Sequence, residues 1–106
     1  MAYIYRIGFD IDHDDMKQLR IGASLERALG YLRTLLPNQD GFISARAMHT
    51  LEKENPAHLV FESTWETWED FKKHIASSLA EDKILKEFEP HIKLEDLSTR
   101  IYEDVN

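Results

Sequence analysis

The chain has 106 residues, with 20 acidic and 13 basic side chains and a formal net charge of −7 at neutral pH. That balance argues against nucleic acid and anionic membrane surfaces as partners, because both call for clustered Lys and Arg. The absence of cysteine excludes disulfides, thiolate nucleophiles and Cys-based metal or iron–sulfur sites.

An apolar fraction of 42% supports one small core, so a single domain over residues 1–106 is expected, and pairing with a second copy would help it. No apolar run approaches the length of a membrane span. The N-terminal Met1-Ala2-Tyr3-Ile4-Tyr5-Arg6 lacks a signal-peptide layout, so a soluble cytoplasmic protein is expected.

In chain order, Tyr3, Tyr5, Ile7, Phe9 and Ile11 alternate with Ile4, Arg6, Gly8 and Asp10, the period of a first strand. Gly8 inside it marks a bulge or a close approach by a neighbour. Asp10, Asp12, His13, Asp14 and Asp15 follow as an acidic loop that begins like a calcium-binding EF-hand loop. Asp15 stands where that loop needs Gly, however, and Ile21 where it needs a bidentate Glu. The stretch reads as a solvated turn and not as a metal site. A helix from about Met16 to Leu36 is expected next, with Ile21, Leu25, Leu29, Leu32 and Leu36 as its apolar stripe and Gly22 and Gly30 weakening it. Pro37 ends it in a turn that runs to Gly41.

A second strand is expected from about Phe42 to Leu51. Ile43, Ala45, Ala47 and His49 take one face, and Phe42, Ser44, Arg46 and Met48 take the other. The small-residue face suits a covering helix, with His49 beneath it. After the polar loop Glu52-Lys53-Glu54-Asn55-Pro56, Leu59, Phe61, Ser63 and Trp65 share one side of a third strand. There the period changes. Trp68, Phe71 and Ile75 fall at helical spacing, and Thr67 with Asp70 forms a capping box at the junction. A second box, Ser78 to Glu81, opens a short helix with Ile84, Leu85 and Phe88 inward, ended by Pro90. A polar strand from about Lys93 to Val105 closes the chain as an edge or an arm.

Strand, helix, strand, strand, helix, strand is the order of an α+β, ferredoxin-like βαββαβ fold: an antiparallel sheet with both helices on one face. Tyr5, Phe9, Phe61 and Trp65 make a large apolar load for such a sheet. It predicts a homodimer through the sheet faces, a dimeric α+β barrel.

The residues Phe61-Glu62-Ser63-Thr64-Trp65-Glu66-Thr67 and Glu69-Asp70-Phe71-Lys72-Lys73-His74 resemble the strand-end E-x-x-W-E-[ST] and helical E-x-F-x-x-H of the antibiotic biosynthesis monooxygenase-like family of dimeric α+β barrels. The likeness in element order covers nearly the whole chain. It implies a cofactor-independent monooxygenase, an oxidoreductase acting on a small quinol or polyphenol-type aromatic, with no cofactor and no metal. A non-catalytic small-ligand-binding barrel, a haem-binding relative and a dimer filled by its own side chains stay open as alternatives. Quinol-oxidising relatives often carry a second histidine where this chain has Leu79. Haem-degrading relatives use an Asn in the first strand, which Tyr3 to Ile11 lacks, and His91 matches their ligand only in a shifted register.

In the enzyme reading His74 is the catalytic base. Trp65, Phe61, Tyr5 and Phe9 build an apolar slot for the substrate, and Arg46 or Arg100 stabilises the developing anion. His74 on a helix face is expected to be replaceable by Ala at little cost in stability.

Overall fold

The computed structural model of the chain describes residues 1–12, 14, 15, 17, 23–51, 56–92 and 94–105. At its centre β1 (Tyr3–Ile11) pairs antiparallel with β3 (Ala57–Trp65), from Tyr3 opposite Trp65 to Ile11 opposite Ala57. Side chains alternate along a strand, so the odd-numbered residues of both strands share one face. Tyr5, Ile7, Phe9, Ile11, Leu59, Phe61 and Trp65 are all buried there. β2 (Phe42–His49) borders β3, and β4 (Ser98–Glu103) borders β1. The four-stranded antiparallel sheet therefore has the order β2-β3-β1-β4, the expected ferredoxin-like arrangement.

Helices cover the odd face. Ala28 and Leu32 of α1 (Ser24–Thr34), Leu36 beyond it, and Phe71 of α2 (Trp68–Ser77) join the strand residues in one core. Ala80, Ile84, Leu85 and Phe88 complete it from the segment after α2. Phe88 lies between Phe9 and Phe61, with ring centroids 5.3 and 5.4 Å away. Such ring pairs each add about 0.5–1.5 kcal/mol beyond the area they bury.

Several elements differ from expectation for local reasons. Ala23 has a left-handed backbone (φ 66°), so no helix runs through it, and α1 begins only at Ser24. Asp14, Asp15 and Lys17 are helical, whereas His13, Met16, Ile21 and Gly22 lie outside the described residues. Gly30 faces open space, since a Cβ there would meet nothing within 4 Å. The register of β2 and β3 slips between Phe42 and Ser44. This bulge turns Phe42 toward Trp65, 5.7 Å between ring centroids, and leaves Ile43 exposed. His49 is exposed, not tucked under a helix, and its Nδ1 lies 2.7 Å from the Thr50 carbonyl.

α2 starts as its sequence indicates. The Asp70 amide donates to Thr67 Oγ1 (3.1 Å), and the Thr67 hydroxyl donates to Asp70 Oδ2 (2.8 Å). Its inner face, however, is Phe71 with His74. Trp68 and Ile75 are 43% and 38% exposed. The second box does not form, because Ser78 takes the left-handed conformation that ends α2 (φ 55°). One π-helical turn (Ala80–Ile84) and two 3-10 turns (Leu85–Glu87 and Glu89–His91) replace the expected helix. They still bring Ile84, Leu85 and Phe88 inward.

The other sheet face is charged at its middle. Glu62 lies opposite Arg6 on one side and Arg46 on the other. It accepts from Arg6 Nη2 (2.5 Å) and Arg46 Nε (2.6 Å). Burial opposes its ionisation, but the two arginines outweigh that and hold its pKa below the usual carboxylate range. Arg6 also sits over the Tyr102 ring, 5.2 Å from its centroid. The four aromatic residues expected to overload both faces, Tyr5, Phe9, Phe61 and Trp65, all lie on the helix-covered one. None of these four rings therefore adds to the open face, whose apolar residues include Ile4 and Val60. β4 is an edge strand, exposed along its length, as its polarity suggests. Gly8 admits a close neighbour and no bulge: a Cβ there would sit 2.9 Å from His58 Nε2. His58 Nδ1 in turn donates to Asp10 Oδ1 at 2.8 Å.

Two glycines give opposite expectations. Gly41 has φ +74°, and a Cβ on it would lie 2.1 Å from Asp70 Oδ2, inside the cap of α2. Gly41→Ala should lower unfolding free energy by about 2 kcal/mol in urea titrations. Gly30→Ala, in open space within α1, should raise it by about 0.5–1 kcal/mol. Equal effects would mean that the turn at Gly41 does not depend on its left-handed backbone.

Candidate functional site

β3 delivers Trp65 to the core at its last residue, and α2 brings His74 back over it two turns after the Thr67 cap. The imidazole stacks on the indole with 4.3 Å between ring centroids and 20° between planes. Tyr5 meets it edge-on at 6.2 Å. The indole Nε1 donates to Ser63 Oγ at 2.9 Å, so this buried polar group is satisfied.

A chain of hydrogen bonds fixes the imidazole. The Ser77 hydroxyl donates to the His74 carbonyl (2.6 Å), so its oxygen accepts from Gln39 Nε2 (3.0 Å). That orients the Gln39 carboxamide with Oε1 toward His74 Nδ1 (2.6 Å), where it accepts the ring N–H. Nε2 is then the nitrogen that carries the lone pair. His74 is only 2% exposed, and burial pushes its pKa down from 6.5 to about 4, leaving the ring neutral near pH ~7.

Beside it lies a cavity of about 20 Å³ lined by Tyr5, Ile7, Leu36, Phe61, His74 and Ile84. That is room for about one water molecule. His74, Trp65, Tyr5 and Phe61 thus come together between sheet and helices. Phe9 lies farther along the core, against Phe61 and Phe88. Arg46 and Arg100 are on the opposite sheet face. Arg46 is engaged with Glu62, and Arg100 lines an open concavity of about 230 Å³ with Arg6, His58 and Tyr102. The sheet stands between both cations and His74. Gln39 and Ser77 gave no sequence signal, because Gln39 reads as a turn residue 35 positions before His74.

His74→Ala is not the neutral change expected of a helix-face histidine. It would leave a hole beside Trp65 and an orphaned Gln39 carbonyl, at a cost of about 2 kcal/mol. Among the described residues, no three His, Asp or Glu side chains converge as a metal site. Asp10 faces His58, and Asp15 Oδ1 lies 3.6 Å from His91 Nδ1. A cavity with room for one water does not fit haem. Among the described residues, no helix is long and apolar enough to cross a membrane.

The chain carries the ferredoxin-like α+β fold of antibiotic biosynthesis monooxygenase-like proteins. No family model and no curated protein matches it in sequence. Solved structures do match it in fold. A putative antibiotic biosynthesis monooxygenase from Bacillus cereus aligns with a TM-score of 0.66 at 16% identity, covering 100% of this chain and 93% of that one. A dimeric ferredoxin-like protein from an uncultured marine organism gives 0.68 at 16% identity, covering 99% and 96%. SnoaB, a cofactor-independent oxygenase from Streptomyces nogalater, gives 0.58 at 8% identity, covering 99% and 94%.

The burial of His74 sets a pH dependence. Its folded pKa of about 4 lies below the ordinary 6.5, so the unfolded chain binds this proton more readily. The contribution of neutral His74 is complete above pH ~6.5 and is lost as pH falls toward ~4, amounting to about 3 kcal/mol. Urea unfolding of wild type and His74→Gln, at pH ~7 and ~4, should show a smaller acid loss in the variant. Parallel losses would mean that His74 titrates normally in the folded state.

Proposed function

We propose that the chain is a cofactor-independent oxygenase acting on a small electron-rich phenol or quinol bound between the sheet and the helices. The observation that carries this reading is His74: a neutral imidazole, stacked on Trp65, its tautomer fixed, at an apolar cavity walled by Tyr5, Ile7 and Phe61. SnoaB, a cofactor-independent oxygenase on the same fold, supports it.

In this mechanism His74 Nε2 accepts the substrate hydroxyl proton. The phenolate that forms keeps the imidazolium charged beside it, since an opposite charge at contact raises the ring's affinity for the proton. The water-poor site keeps that ion pair tight. The phenolate passes an electron to dioxygen, and the resulting radicals combine to a ring hydroperoxide. Loss of water leaves one oxygen atom on the ring and returns the proton, so a quinol plus dioxygen gives a hydroxyquinone plus water. The arginines on the far face take no part in this scheme.

The cavity volume favours a second reading, a dimer whose barrel is filled by its own side chains. About 20 Å³ is far below the roughly 300 Å³ of an ordinary ligand pocket. Admission of an aromatic ring requires the turns around Ala80–Ile84, which line the cavity, to move aside.

We propose in addition that two copies pair through their open sheet faces. Support comes from the uncovered face itself and from the dimeric ferredoxin-like protein that shares the fold.

Dioxygen uptake with a panel of quinols tests the enzyme reading. Wild type should consume dioxygen, and His74→Gln, shown by its melting curve to be folded, should do so at least about tenfold more slowly. Uptake by both at one rate would remove His74 from the chemistry, and none by wild type would favour the filled barrel. Light scattering after size exclusion should give twice 12.4 kDa, and a folded monomer would overturn the paired barrel.

A further inference from the structure

The Ser77–Gln39–His74 chain does more than satisfy buried polar groups. Each bond has only one possible direction. The His74 carbonyl can only accept, so the Ser77 proton is committed to it at 2.6 Å. Ser77 Oγ must then accept from the Gln39 amide nitrogen at 3.0 Å, which puts the amide oxygen 2.6 Å from His74 Nδ1. An amide oxygen accepts from Nδ1–H and cannot donate to a bare nitrogen. The tautomer selected is the one that free neutral histidine disfavours. Gln39 comes from the turn after α1, held by its own backbone bond to the Leu36 carbonyl (3.0 Å), while His74 and Ser77 belong to α2.

We propose that Gln39 is a positioning residue that locks His74 as the Nδ1–H tautomer, so that Nε2, on the far side of the ring, is a standing acceptor for a ligand that offers a hydroxyl proton. The ligand preference rests on the proposed aromatic-binding role of the cavity, whereas the tautomer does not. Such a site takes neutral hydroxylated aromatics. It discriminates against their ethers, which bring no donor, and against ionised acids, which would face a lone pair in an apolar cavity. Free rotation or the opposite tautomer would present Nε2–H and reverse that preference. Among the described residues the ring meets Trp65, Tyr5 and Gln39, and Glu62 also lines the cavity beside it, so Tyr5 and Glu62 are the titratable residues at the site.

Long-range proton–nitrogen correlation spectra of the folded chain read the tautomer directly, with no need for turnover. Wild type at pH ~7 should show a protonated Nδ1 and a bare Nε2 at His74. Gln39→Leu should populate the other tautomer. Gln39→Glu keeps an acceptor at Nδ1 and adds a charge, so it should retain the tautomer and move the His74 titration upward from about 4. A wild-type Nε2–H, a Gln39→Leu spectrum identical to wild type, or a Gln39→Glu titration that does not move would each overturn the assignment.

Phenol and its methyl ether anisole then test the acceptor. Phenol should shift the Nε2 resonance and anisole should not. Equal shifts would overturn the hydroxyl preference. With the tautomer locked and neither probe bound, the positioning role of Gln39 would stand, while the hydroxyl preference and the small-aromatic function would both fall.

Discussion

The structure depends on the register between its two central strands. With Tyr5 opposite Ser63 and Ile7 opposite Phe61, every Tyr, Phe and Trp side chain of β1 and β3 falls on one face, together with Ile7, Ile11 and Leu59. A slip of one residue would turn that set to water and bring Arg6 and Glu62 inward, so the pairing is specified by the burial it produces. Helix placement follows from it. α1, α2 and the turns to Phe88 exist as a cover for one apolar surface, and their buried residues belong to one cluster with the strands.

The strand-to-helix handover then turns this core into a site. Trp65 ends β3 and the Thr67–Asp70 cap starts α2 at once, so the next inward positions of the helix are committed to the neighbourhood of the indole. Phe71 fills one of them with an apolar ring, and His74 fills the other with a polar one. An imidazole there loses its hydration. It recovers one hydrogen bond from Gln39 and a stacked partner in Trp65, and gives up much of its basicity.

What could be read in the sequence was what depends on neighbours along the chain. The alternation of Leu59, Phe61, Ser63 and Trp65, the change to helical period at Trp68, and the Thr67–Asp70 cap all have local causes, and each is present. The element order was enough for the topology. The errors came where a single backbone conformation or a distant partner decides. The bulge after Phe42 reverses that residue's face, and left-handed Ala23 and Ser78 replace one continuous helix and one cap. Counting Tyr5, Phe9, Phe61 and Trp65 as a load on both faces overlooked that all four share the helix-covered one, while the other carries Arg6, Glu62 and Arg46 at its middle. Arg46 and Arg100 were grouped with His74 by chemistry alone, although their strand parity places them beyond the sheet. Gln39 was invisible because no periodicity links a turn to a helix so far along the chain.

The strand order also has a kinetic consequence. His49 and Leu59, the closing pair of the β2–β3 hairpin, are 59 − 49 = 10 residues apart, whereas Ile11 and Ala57, the nearest pair of β1 and β3, are 57 − 11 = 46 apart. By the logarithmic scaling of loop entropy, the longer closure costs about 1.4 kcal/mol more. Non-local closures of this kind slow folding, because their entropy is lost before their contacts form. The hairpin, with α2 following directly from it, can assemble from local contacts, while β1 has to be captured from a distance. Tyr5 and Ile7 arrive only with β1, so one wall of the cavity beside His74 is missing until that capture is complete. Part of the burial that lowers the proton affinity of the imidazole therefore arrives only when the central strand docks.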